Sequence, residues 1–430
     1  MEFFRELSGF RGSPIRNEII DSLDHAFNEN LPETRVLNFL RKKRGLEFGG
    51  RLIVIGFGKA SRGMFNGVKQ FFGDRISDAA IIVPTLEHEE ISAPFLPGNH
   101  PFPSNESIES SKIVLDLLKN LKQEDLVIVL ISGGGSSLFE VLKEGVDLKS
   151  FNETVNCLMK NGASISELNA IRYLFSNTKG GGLLSYTYPA KVLGLIISDV
   201  PGDSIETVAS GPTSAPPSPD FIHKVNEKFR DRCSVPSLDS SRVTLKSIPD
   251  NEIVLKNSDF VASILNSVTR NGHIAYNIGS DIEGSTNSVA KLLVEKMREK
   301  FRKNRSPVFV VGGGESSTNA KLNAIGGRNL ETCLQVLLLM DNDEVFAFGS
   351  IGTDGIDGTS KAMGAIVDDQ SLRILDREYI RESISTSQSL APLEKSKDVL
   401  FTGFTGANVA DIYIGYYAGI RDNGPTGNLF

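Results

Sequence analysis

Several stretches of this 430-residue chain set charged or hydroxyl side chains beside glycines at the ends of apolar runs. Asp125–Leu138 reads DLVIVLISGGGSSL. Leu126–Ile131 predicts a strand buried on both faces, after which Gly133, Gly134 and Gly135 permit a sharp turn whose N–H groups can face an anion. Ser136 and Ser137 add hydroxyls. Leu138, Val141 and Leu142 have the spacing of a following helix, so the stretch could hold a phosphate. A ligand-free glycine turn between strand and helix is the plainer account. Arg51–Phe65 reads RLIVIGFGKASRGMF, a second strand and glycine turn with Lys59 at the start of a helix. Lys59 reads equally as a surface lysine on a helix first turn or, because the helix dipole disfavours a cation there, as a functional lysine facing a phosphate or carboxylate. GxxxxGK[ST] is absent, and Gly63 comes two residues late for a dinucleotide fingerprint.

Further along, Asn169, Arg172 and Lys179 lie near the glycine run Gly180–Gly182, where a glycine cap with basic residues on the helix dipole is the plainer reading. Asp199 stands at the carboxyl end of the strand Val192–Ile197, with Asp203 in the next Pro-Gly turn. Two carboxylates near a phosphate-cradling loop suit Mg²⁺, and turn chemistry is the alternative for both. Val308–Asn319 (VFVVGGGESSTN) echoes the first glycine run and places Glu315 at a turn. Gly326 and Gly327 precede Arg328 at the start of an apolar helix, where a guanidinium aimed bidentately at a carboxylate or phosphate explains its position. Asp354 and Asp357 read equally as Asx-turn residues or ligands, and His100, in a Pro-rich loop, as a hydrogen-bonding fixture.

These residues need a scaffold that brings strand ends together. The alternation of short apolar strands with amphipathic helices predicts an α/β fold: two Rossmann-like doubly wound domains with largely parallel sheets and a cleft between them. The expected division is 1–245 and 250–430, with a linker in the Pro- and Ser-rich run from Ser214 to Pro249. Hydrophobic residues at 40% and charged residues at 23% supply a large core and an ordinary surface. A net charge of −7 and a pI near 5.5 argue against nucleic acid and anionic membranes as partners. No signal peptide or membrane span is read. Cys157, Cys233 and Cys333 lack metal or disulfide spacing, so the expectation is a reducing, cytoplasmic setting with no disulfide frame.

Taken together, GFGKAS, ISGGGSSL, LNAIRYLFSNTKGGGLL, ISDVPGDSIETVASGPT, GGGESSTN, GGRNLE, GTDGIDGTSKAMGA and TGFTGANVADI occur in the order found in the MOFRL-type (class II) glycerate kinases. The resemblance covers nearly the whole chain. It departs at Phe404 and Ala407, where the family usually has TGPTGTN, at Ser387–Leu390 and at Glu283-Gly-Ser. The resemblance implies transfer of phosphate from ATP, with Mg²⁺, to D-glycerate, and the archaeal branch implies 2-phosphoglycerate as product. It implies essential roles for Lys59 and Arg328; with it, the Gly133–Ser137 turn is expected to hold the ATP phosphates and Asp199 and Asp203 the metal, and either aspartate could serve as base. Asn169, Arg172 and Glu315 join Lys59 and Arg328 as candidate substrate contacts. A homodimer is compatible with the resemblance. The alternatives are a glycerate 3-kinase, a nicotinamide-dependent hydroxypyruvate/glycerate reductase and a non-catalytic sugar-acid sensor.

Overall fold

The computed structural model describes residues 10–85, 92–233, 235, 247–318, 321 and 323–421. The chain forms two compact units, one of residues 31–256 and the other of residues up to Asn30 together with those from Asn257 onward.

The 31–256 unit is built on six parallel strands: β1 Leu52–Phe57, β2 Asp78–Pro84, β3 Phe95–Gly98, β4 Leu126–Ile131, β5 Lys191–Ile197 and β6 Asp250–Leu255. Their spatial order is β3-β2-β1-β4-β5-β6. Every residue of β1 and β4 is buried, as apolar runs require when helices cover both faces. The chain leaves β1 toward one edge and β4 toward the other, so the order reverses between these two strands. Open α/β sheets bind ligands outside the carboxyl ends at such a point.

The second unit has a mixed sheet of β7 Ile274–Asn277, β8 Ile282–Ser285, β9 Val308–Ser317, β10 Glu344–Gly352, β11 Gly364–Asp368, β12 Val399–Leu400 and β13 Asp411–Ile420. Its order is β12-β11-β10-β13-β9-β7, with β8 also on β9. Only the pairings of β7 and of β8 with β9 are parallel; β9 to β13, β10 to β13, β10 to β11 and β11 to β12 are antiparallel. Parallel character is therefore largely confined to the first unit.

Several sequence expectations are corrected here. The helix Pro14–Glu29 belongs to the second unit, and β6 completes the first sheet against β5. The break falls at Lys256/Asn257, not in the run 214–249, because the helix Pro219–Phe229 buries Ile222, Val225 and Phe229 in the first unit's core. The helix after the first glycine run stops at Leu138, and Leu142 instead forms a β-bridge with Ser176. The second glycine run makes no turn: Gly312, Gly313 and Gly314 continue β9 opposite Tyr413, Ile412 and Asp411. A Cβ on Gly313 would lie 1.8 Å from Asn257 Oδ1, so these glycines serve close approach. Cys157 and Cys233 form a disulfide, contrary to the expected absence of one. They lie 76 residues apart and meet only through tertiary packing, which no local spacing reveals. Among the described residues, no helix is long and apolar enough to cross a membrane.

Candidate active site

In the first unit the turns after β1 and β4 lock together at the reversal point. Lys59 N–H donates to Gly133 O (2.9 Å), and Ala60 N–H donates to Ser132 Oγ (3.1 Å). Gly58, at φ +130°, passes so close to Ser132 that a Cβ would lie 2.1 Å from its hydroxyl. Gly134 sits at φ +82°, with the positions of Lys59 Cγ and His100 Cδ2 at 3.4 and 3.2 Å from where its Cβ would stand. Lys59 and His100 thus flank one glycine. Among the described residues, the N–H groups of Gly133, Gly134 and Ser136 have no intramolecular acceptor, whereas Gly135 donates to Ser132 O and Ser137 to Gly134 O. Three successive-turn N–H groups without acceptors, beside a lysine, form an anion-binding nest.

A second layer supports this nest. Ser136 Oγ is 2.9 Å from Ser210 Oγ, Ser210 donates to Asn169 Oδ1 (2.8 Å), and Arg172 Nη1 lies 3.4 Å from the same oxygen. Gly180 and Gly181 N–H donate to Ser210 O and Gly211 O at 3.0 and 2.8 Å. The structure therefore brings the sequence candidates Ser136, Asn169 and Arg172 into one network. Below them Lys179 is buried and donates to Phe139 O. Burial pushes its ammonium down to about 8, while the Glu140 charge opposes the shift. Burial likewise lowers the Arg172 guanidinium and raises the Glu140 carboxyl.

Asp199 is half-buried just beyond the carboxyl end of β5. Asp203, at φ +55°, lies 3.6 Å from Lys256 Nζ in an ion pair. Among the described residues, no three His, Cys, Asp or Glu side chains group to hold a metal without further ligands. A Mg²⁺ ion held by one carboxylate and by substrate phosphates needs no such group. Asp199, at the carboxyl end of β5, is placed for that arrangement.

In the second unit Arg328 opens the helix Arg328–Leu339. Its Nε and Nη2 donate to the two oxygens of Asp411 at 2.7 and 3.0 Å, and Nη1 lies 2.7 Å from Glu315. The bidentate carboxylate expected for this arginine is thus present within the chain itself. Glu315 lies on β9, not at a turn. Asp411 is fully buried and also accepts from Asn329 Nδ2 (2.9 Å). Asp357 accepts the N–H groups of Asn329 and Leu330 at 3.1 and 2.9 Å, capping the helix. Burial pushes its carboxyl up to about 7 against these donors. A Cβ on Gly327 would lie 2.2 Å from the Asp357 carboxyl carbon, which explains the glycine before Arg328.

Sequence reasoning did not identify His100, Ser210 or Asp411 as members of these sites. Ser210 and Asp411 stand inside quoted motifs, SGPT and NVADI, but only the fold shows what they face.

Comparison with known proteins gives the same frame. A sequence family described as "Domain of unknown function (DUF4147)" matches residues 18–236, and the MOFRL family matches residues 308–411. The chain is 34% identical over 413 residues to a glycerate 2-kinase of Picrophilus torridus, covering 94% of this chain and 96% of that one. It is 32% identical to a D-glycerate 2-kinase of Thermotoga maritima, covering 91% and 94%. The crystal structure of a Thermotoga maritima glycerate kinase superposes with a TM-score of 0.84 at 29% identity, covering 94% of this chain and 99% of that one. Its two matched family regions, its near full-length likeness to these kinases and its fold together show that the chain belongs to the glycerate 2-kinase family.

Proposed function

We propose that the protein transfers the terminal phosphoryl group of ATP to the C2 hydroxyl of D-glycerate, giving 2-phosphoglycerate. The observation that carries this reading is the nest of acceptor-free N–H groups on Gly133, Gly134 and Ser136 beside Lys59, at the point where the strand order reverses. Phosphoryl transfer depends chiefly on positioning and charge neutralisation, which fixed N–H dipoles and a lysine supply. The N–H groups hold phosphate oxygens, and Lys59 meets the charge on the transferring group. Asp199 is the residue that would hold Mg²⁺, which when bound neutralises phosphate charge. Arg328 has five N–H donors and commits three to Asp411 and Glu315, so two remain for a substrate anion. It binds the glycerate carboxylate with that spare pair or after displacing Glu315, whose side chain is 43% exposed.

The test is ADP release with D-glycerate, hydroxypyruvate and glycerol as acceptors, with product detection by enolase in the absence of phosphoglycerate mutase. Turnover with D-glycerate and an immediate enolase signal are expected. A signal that needs mutase would assign the 3-isomer, and no ADP release with any acceptor would overturn the kinase reading.

A further inference from the structure

The turn that supports the nest is conformationally unusual. Ala209, Ser210 and Gly211 have φ values of +51°, +62° and +61° in succession. Two adjacent non-glycine residues in the left-handed region persist only where the surroundings hold them, and such strain gathers at functional sites. Here the carbonyls of Ser210 and Gly211 are held by Gly180 and Gly181 N–H, and Gly135 leaves the space into which Ala209 Cβ fits. The result is that Ser210 Oγ stands between Ser136 Oγ at 2.9 Å and Asn169 Oδ1 at 2.8 Å.

The direction of these bonds follows from counting protons. Asn169 Nδ2 donates to Thr207 O (3.2 Å), which turns its carbonyl oxygen toward Ser210 and Arg172. A serine hydroxyl has one proton. Ser210 gives its proton to Asn169, so the bond with Ser136 must be donated by Ser136. The proton of Ser136 is then committed inward, and its oxygen offers only lone pairs to the space above the glycine turn. A hydroxyl so held cannot donate to a phosphate oxygen; it can accept from an O–H.

We propose that Ser210 is a positioning residue that takes the Ser136 proton and leaves Ser136 Oγ as the hydrogen-bond acceptor for the substrate alcohol. The main-chain N–H groups of the same turn hold the phosphate. The proposal rests on the reading of the Gly133–Ser136 turn as the reaction site, and it divides that turn into a phosphate-facing backbone and an alcohol-facing hydroxyl.

Steady-state kinetics of full-length Ser136→Ala, Ser210→Gly and the double variant, with ATP and D-glycerate varied separately, test it. Glycine accommodates φ +62° freely, so Ser210→Gly removes the hydroxyl without straining the turn. It should lower kcat/KM for glycerate about tenfold, the size of one hydrogen bond, with KM for ATP within about twofold of wild type. Ser136→Ala should show the same selectivity, and the double variant should be no worse than Ser136→Ala alone. Losses that multiply, or that fall on ATP instead of glycerate, would overturn the proposal. So would an impaired Ser136→Ala beside a normal Ser210→Gly, while leaving the nest as the phosphate site. A Ser136→Ala enzyme unchanged toward both substrates would remove the Ser136 role itself. If Ser210→Gly melts early, the selectivity of Ser136→Ala decides alone.

Discussion

Lys59 and Arg328 are cations at helix starts, where the dipole opposes them. The structure places Lys59 half-buried in the turn before the helix Ser61–Phe72, with its Cγ against Gly134 and outside the apolar cores. Lys59→Ala should therefore abolish turnover while leaving the melting temperature near wild type, and a variant that unfolds would mark a structural lysine. Asp199→Asn should raise the Mg²⁺ concentration needed for half-maximal rate at saturating ATP; an unchanged midpoint would reduce Asp199 to turn chemistry. Arg328 is different, because its partner is internal. Asp411 lies 83 residues beyond it, and no spacing rule joins them. Asp411→Asn leaves the guanidinium short of a buried counter-charge and should cost about 2–4 kcal/mol of stability as well as activity. Full activity in that variant, measured beside its denaturant midpoint, would separate Arg328 from the reaction.

At the scale of elements, the apolar runs of β1, β4 and, after the exposed Lys191, β5 are legible because burial on both faces leaves little other composition. Glycine runs were not, since GGG states only that a Cβ is unwelcome. At Gly133–Gly135 the reason is a turn, whereas at Gly312 and Gly313 it is a neighbour's side chain and at Gly314 the backbone of Ile282, and the cases cannot be told apart locally. The helix Arg328–Leu339 shows the same limit. Its start was legible from the apolar pattern, but its cap, Asp357, comes 28 residues after Asn329, whose N–H it accepts. That cap has a pH signature. Asp357 is held at about 7 in the fold, above its ordinary 3.8, chiefly by burial, so the unfolded chain ionises first. Its contribution is complete below pH about 4 and is lost as pH rises to about 7, by at most roughly 4 kcal/mol. The melting temperature of Asp357→Asn relative to wild type should therefore rise between pH 4.5 and 7.5, as measured in one buffer series. A constant gap would show that Asp357 does not titrate in this range.

For the whole molecule, two α/β units could be read from the rhythm of strands and helices, but not which segments each contains. The helix Pro14–Glu29 has an ordinary amphipathic pattern that would suit either sheet. What assigns it is specific. Phe27 packs edge-on against Phe260 at 5.1 Å, Asn30 Nδ2 donates to Ser263 Oγ at 2.9 Å, and Ile19, Leu23 and Ala26 are fully buried. Arg16 is buried completely and donates to Asp398 at 2.8 Å, and Arg11 binds both Asp368 oxygens and reaches Asp398 at 3.1 Å. Two acidic side chains of the second unit thus have counter-charges supplied from the chain's beginning. Losing a buried partner costs more than the pair contributes, because the remaining charge stays desolvated. Arg16→Ala should lower stability by about 3 kcal/mol, and removal of residues 1–30 by more, since each large apolar side chain adds roughly 1.5–3 kcal/mol. The loss should fall on one unit. In limited proteolysis of the shortened chain, cleavage should begin within residues 257–421, while 31–256, whose sheet and cores are its own, persists as a resistant fragment. First cleavage inside 31–256 would place the helix with the other unit and overturn the assignment.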